Sequence, residues 1–539
     1  LLTALASGQI ASRIWRRDPA VFVGPSAGAP VLAAIAHRLG WLDAPGMGAT
    51  HARDLGVFVR GVHADGLTHV ILLGMGGSSL CAEVLRDVPA ARVSALPLTV
   101  LDTTDEHAIG AVTETLQPET ALFLVASKSG STLEVTALER HFWNVVVSSL
   151  GRERAGRHFV AITDPGTSLE SHAVAHGYRQ VFLNPPDIGG RYSALSFFGL
   201  LPAALIGLDV AALARSAERM ATACHDDTTE NPGLALGAFM AEHAAARRDK
   251  LTILLPDELA PLGAWIEQLV AESTGKEGRG ILPVVGEPLG RSADYGPDRA
   301  FVAVTTDPSS KIAKLARFLE KAGHPVFRIA ATTRELGGEL VRWEFATAVA
   351  GAALTLNPFD EPNVREAKVR TQAQLDALAA NGAFRIEPPF EPGEGYSRRE
   401  HRPAGESTHT RRRYVALLDY LPADPHRLPL VDRLRDAIRH RLGLVTTHGI
   451  GPRYLHSTGQ YHKGGPNSGI FVLLTAADAS TTPVPGTAYT FSTLKQAQAL
   501  GDFDALVANG REVVHYHLDD PSADFSATLE RLLAQFDQR

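Results

Sequence analysis

Residues 69–80 read HVILLGMGGSSL, an apolar, β-branched run that gives way to three glycines and two serines before a helical apolar pattern begins at Leu80. Strand, tight turn and helix start in that order make a βα unit. The free N–H groups at such a turn can cradle an anion. Ser79 stands where the third glycine of a GxGxxG fingerprint would be, and no GxxxxGK[ST] occurs in the chain, which counts against a dinucleotide or ATP.

Outward from this turn, short β-branched runs alternate with longer helical patterns. Strands are predicted at 69–73, 98–101, 122–125, 159–162 and 180–183, and a second series at 251–255, 301–305 and 325–329. Such alternation predicts α/β units, each a parallel sheet wrapped by helices in three layers. Residues 1–60 read as a helical extension, 61–235 as a first α/β domain and 236–383 as a second. Residues 384–413, rich in Pro, Gly and charge, read as an exposed linker. Residues 414–539 read as a smaller α+β domain whose βαββαβ order suggests a split-βαβ unit. The apolar stretch 194–214 contains Pro202 and Asp209 and is read as one buried helix rather than a membrane span.

Composition narrows the partners. Of 539 residues, 52 are Lys or Arg and 59 are Asp or Glu, a net charge of −7 that offers no footprint for nucleic acid or an anionic membrane. Cys81 and Cys224, the two cysteines, form no zinc or CxxC spacing, which points to the cytoplasm. The chain opens at Leu1, and its first residues lack the order of a signal peptide.

Five further segments could carry chemistry. The predicted strand 122–125 ends in SKSGST, 127–132, which sets four hydroxyls and Lys128 ahead of a helical pattern. Hydroxyls and N-terminal amides would grip a phosphate dianion, and Lys128 would add charge. Arg191, beside two glycines at the start of an apolar helix, is costly there unless paired or engaged. Glu272 lies in the last turn of a helix whose buried face holds Trp265, Ile266, Leu269 and Val270; burial and the negative helix end would raise its pKa toward that of a general base. Lys368 follows the Pro- and Asn-rich turn at 357. In the long loop 451–469, His456 and His462 lack a third ligand in metal spacing, so no metal is expected there.

GMGGSS, SKSGST, GGRYSALS, QLVAESTGK and FDEPNVREAK, in this order between 68 and 368, resemble the glucose-6-phosphate isomerase family, which is built from two sugar-isomerase (SIS) domains. GWLD, RWEFATAVAG and LHSTGQYHKGG look like the isomerase half of transaldolase fusions, although the sequence shows no transaldolase barrel. The resemblance implies that Gly77 and Ser78 touch a sugar phosphate and that Ser127, Lys128, Ser129 and Thr132 clamp its phosphate. Arg191 would hold the enediolate, Glu272 would shuttle the proton and Lys368 would assist ring opening. It also implies a homodimer with sites near the subunit boundary, a small sugar phosphate as partner and no cofactor. Glu361 stands where the family has Gln and Arg365 where it has Glu. The family's ring-opening His is absent between 272 and 361 outside the unrelated context of His324, so His456 is assigned that role, with His462 as the alternative. The rival readings are an SIS-domain regulator without catalysis and a dual phosphoglucose/phosphomannose isomerase.

Overall fold

The computed structural model describes residues 1–305, 307–403, 413–477, 481–521 and 524–537. Five strands, β1 (His69–Gly74), β2 (Leu98–Leu101), β3 (Ala121–Ala126), β4 (Phe159–Thr163) and β5 (Gln180–Leu183), form a parallel sheet in the order β2-β1-β3-β4-β5. Four more, β6 (Lys250–Leu254), β7 (Leu282–Val284), β8 (Arg299–Thr305) and β9 (Val326–Ala330), form a second parallel sheet in the order β7-β6-β8-β9. β3, β4 and β6 are buried along their whole length. Helices cover both faces, which is why these strands read as unbroken apolar runs. One continuous core joins the two sheets, running from Leu72 and Leu124 to Trp265, Val302 and Phe345.

The stretch read as one buried helix is two, Phe197–Leu205 and Val210–Ala223. Asp209 starts the second by accepting the Ala212 N–H at 2.9 Å, an N-cap that an apolar count does not register.

The split-βαβ expectation for the C-terminal region is corrected. Its sheet contains β10 (Glu391–Pro392), β11 (Tyr396–His401), β12 (Tyr414–Asp419), β13 (Val445–Ile450), β14 (Gly469–Ala476) and β15 (Glu512–Leu518), in the order β10-β11-β15-β14-β12-β13. β12 to β15 pair only in parallel with one another. Their order, β13-β12-β14-β15, repeats that of the other two sheets. The connection from β13 to β14 holds only a turn at Arg453–His456 and the six-residue helix Gly459–Gly464. With no long helical period to read, β13 and β14 pass for sequence neighbours in a hairpin-like pair. Part of the expected linker is also structured: β11 pairs antiparallel with β15 and extends the sheet edge. Residues 404–412 of that linker lie outside the described residues.

Candidate active site

The three sheets meet around a cavity of about 300 Å³. Gly77, Ser78, Lys128, Ser129, Thr132, Arg191, Glu272, Glu361, Lys368 and His456 all reach its wall. Ser127 does not: it is 2% exposed, and its Oγ meets Thr132 Oγ1 at 2.9 Å, bracing the turn from behind.

The turn after β1 presses against the GGR segment. A Cβ on Gly77 would lie 2.0 Å from the Gly190 carbonyl oxygen, so only glycine lets the two segments meet. Ser79, where the glycine fingerprint fails, ties the turn together by bonding Gly76 O at 3.2 Å and Asp102 Oδ2 at 3.3 Å. At the other turn, Thr132 is the N-cap residue of the helix Leu133–Leu150. Lys128 pairs with Asp164 at the end of β4 and donates to Pro186 O at 3.1 Å. Burial lowers the Lys128 pKa and raises that of Asp164.

Arg191 is 3% exposed and fully engaged. Its Nε donates to Ser273 Oγ at 2.9 Å, Nη1 lies 2.9 Å from Glu272 Oε1 and 3.2 Å from Glu361 Oε2, and Nη2 donates to Pro358 O and Asp360 O at 2.9 Å each. Glu272, on the helix Leu262–Thr274, is 8% exposed. Gln268, one turn earlier on the same face, donates to its Oε2 at 3.1 Å. Burial raises the Glu272 pKa, while Arg191 opposes the shift. Lys276 braces the opposite wall, donating to Asn357 O at 2.8 Å and to Asp360 Oδ1 at 2.7 Å; burial brings its own pKa down to about 8.

His456 enters from the C-terminal domain. Its Nε2 lies 2.9 Å from Glu134 Oε1, which also accepts from Gln498 Nε2 at 2.7 Å. Burial pushes the Glu134 pKa up, but the imidazole outweighs it, and the net shift is downward. The Glu134 carboxylate thereby fixes the imidazole in the cavity wall. The alternative, His462, is 2% exposed in the C-terminal core, where Nδ1 meets the Tyr414 hydroxyl at 2.9 Å, and it does not line the cavity.

Sequence reading missed Arg38, Asp164, Gln268 and Glu134. Asp164 could have been found as a polar residue at the carboxyl end of a parallel strand. Gln268 stands one helical turn from Glu272. Nothing local marks Arg38.

An Arg-held carboxylate, a carboxylate-backed imidazole and a hydroxyl-rich turn thus share one cavity where the three sheets meet. A family model described as phosphoglucose isomerase matches residues 55–280. A glucose-6-phosphate isomerase of Rubrobacter xylanophilus is 28% identical over 365 residues, which is 58% of this chain and 84% of that protein. One from Gloeothece citriformis is 34% identical over 226 residues, 40% of this chain; the match spans 41% of that relative, less than half its length. Among solved structures, a hypothetical protein of Thermus thermophilus superposes with a TM-score of 0.59 and 25% identity, over 69% of this chain and 96% of that one. A glucose-6-phosphate isomerase of Chlamydia trachomatis shares the fold with a TM-score of 0.51 and 19% identity, over 69% of this chain and 78% of its own. Over residues 55–280 the chain therefore matches the phosphoglucose isomerase family model, and over 365 residues it is similar to a glucose-6-phosphate isomerase.

Proposed function

We propose that the protein interconverts glucose 6-phosphate and fructose 6-phosphate as an aldose–ketose isomerase. The observation that carries this is the convergence of Glu272, Arg191 and the His456–Glu134 pair on one cavity beside the hydroxyl-lined turns. The phosphate sits at Ser129 and Thr132, the sugar extends toward Glu272, and Gly77 and Ser78 line the wall between. His456 gives a proton to the ring oxygen while the anomeric hydroxyl gives its own to water, so that the bond from C1 to the ring oxygen breaks, the C1 carbonyl forms and an open chain is left; Lys368 assists this opening. Glu272 then removes the proton from C2 of the aldose, the electron pair moving onto O1 as a cis-enediolate held against Arg191; the C2 hydroxyl passes its proton to O1, and Glu272 returns the carried proton to C1 to give the ketose. Charge developing on the enediolate oxygen meets a guanidinium already fixed in place, which needs no reorganisation at the moment of reaction.

Turnover of fructose 6-phosphate by the purified protein in EDTA with no added nucleotide tests this reading, and no glucose 6-phosphate formation would overturn it. Replacing His456 with Ala should slow turnover of the cyclic substrate about 10²-fold, the lower range for a general acid. Isomerisation of an open-chain analogue should be nearly unaffected; equal losses on both substrates would remove His456 from ring opening.

The same reading extends to a homodimer in the cytoplasm and to kinship with the isomerase half of transaldolase fusions. The LHSTGQYHKGG segment and the sparse cysteines support it. No helix among the described residues is long and apolar enough to cross a membrane.

A further inference from the structure

The phosphate end of the cavity poses a charge problem. A sugar phosphate brings a dianion, yet the positive charge of Lys128 is already answered by Asp164. Arg191 is likewise matched by Glu272 and Glu361. The serine and threonine hydroxyls supply donors but no net charge. Arg38 reaches the same end of the cavity wall, with Lys128, Ser129 and Asp164, and no carboxylate among the described residues forms an ion pair with it. The Arg38 guanidinium lowers the pKa of both Lys128 and Asp164, while the Asp187 carboxylate raises both, so the acidic side of this end holds two carboxylates against Lys128 and Arg38.

The backbone holds it there by construction. Arg38 follows the helix Ala29–Ala36, and Leu39 forms an antiparallel bridge with Ile188. Gly40 N donates to Asp187 O at 3.1 Å, and a Cβ on Gly40 would fall 2.2 Å from Asp187 Cγ. The N-terminal segment is thereby pinned beside Gly189 and Gly190, which line the cavity.

We propose that Arg38 is a substrate-binding residue that takes the phosphate of the sugar and supplies positive charge beyond that of the hydroxyl-lined turn. This deepens the isomerase reading and rests on it for the identity of the substrate. Inorganic phosphate is the direct probe, titrated calorimetrically into the wild type, Arg38→Ala and Arg38→Lys, with KM and kcat for fructose 6-phosphate measured alongside. In the alanine variant the phosphate Kd and KM should rise together by about 10- to 100-fold, as for loss of a charge-assisted bond. kcat should stay within about threefold, because the contact is the same in ground and transition states. Lysine should recover part of the loss, since it restores the charge without the planar fork. An unchanged phosphate Kd in Arg38→Ala, or a fall in kcat with KM and Kd unmoved, would overturn the assignment. A protein that bound phosphate through Arg38 yet turned over no fructose 6-phosphate would sink the isomerase reading and leave Arg38 as a phosphate ligand.

Discussion

Glu272→Gln should lower kcat about 10²- to 10⁴-fold, the range for losing a general base, with little change in KM. The substitution keeps the shape of the side chain and one accepting oxygen, which serves Arg191 Nη1 or Gln268 Nε2 but not both, and Arg191 keeps its contacts with Ser273, Pro358, Asp360 and Glu361, so the fold around it should hold. What it removes is the ability to carry a proton between two carbons. The wild-type pH profile provides a second reading. Glu272 works only when ionised, and burial raises its pKa, so kcat/KM should fall as pH drops through a value above the ordinary glutamate pKa of about 4.3. That acid limb should vanish from the residual activity of the variant. Full activity in Glu272→Gln, or an acid limb that persists unchanged, would show that another group takes the proton.

Arg191→Ala should be damaging twice over. The guanidinium sits between two carboxylates and donates to two main-chain carbonyls, so its removal leaves buried acceptors and like charges facing each other. Breaking a buried ion pair from one side costs about 3–5 kcal/mol, and losing a fixed donor to the developing oxyanion costs about 10²- to 10³-fold in kcat. Arg191 also opposes the upward shift of Glu272. Without it the Glu272 pKa rises further, and the acid limb should move to higher pH. Arg191→Lys should restore part of the stability but less of the rate, because one ammonium cannot make all the contacts of the planar fork. Thermal unfolding and the pH–rate profile measure both effects; a stable, active alanine variant with an unmoved acid limb would refute the role.

How much of this was legible in the sequence depended on whether the signal was local. The central strands of the first two sheets, β1, β3, β4, β6 and β8, are buried along nearly their whole length, so they appear as largely apolar runs ending near turn residues, and their positions could be read almost to the residue. The carboxylate, the guanidinium and the hydroxyl-rich turn sit on βα units and helix ends whose patterns announce themselves. β7, three residues long, was too short to stand out. The third sheet was misread because one of its crossovers replaces a regular helix with a turn and a six-residue helix. Glu134 lies two residues beyond the predicted clamp, yet its meaning depends on His456, more than three hundred residues away. Arg38 is brought to the cavity by a single bridge and a glycine contact with residues some 150 positions later. No periodicity encodes such a meeting.

The third sheet is locked to the first through Arg453 with Asp102 and Glu83, Lys495 with Asp105 at 2.8 Å, and Gln498 with Thr104 at 2.8 Å. These bonds hold the histidine in place, and it comes from the part of the polypeptide that a ribosome makes late. A nascent chain can finish the carboxylate and guanidinium half of its machinery while residue 456 is still inside the exit tunnel. If His456 opens the ring, competence for the cyclic sugar is gained only near the end of synthesis.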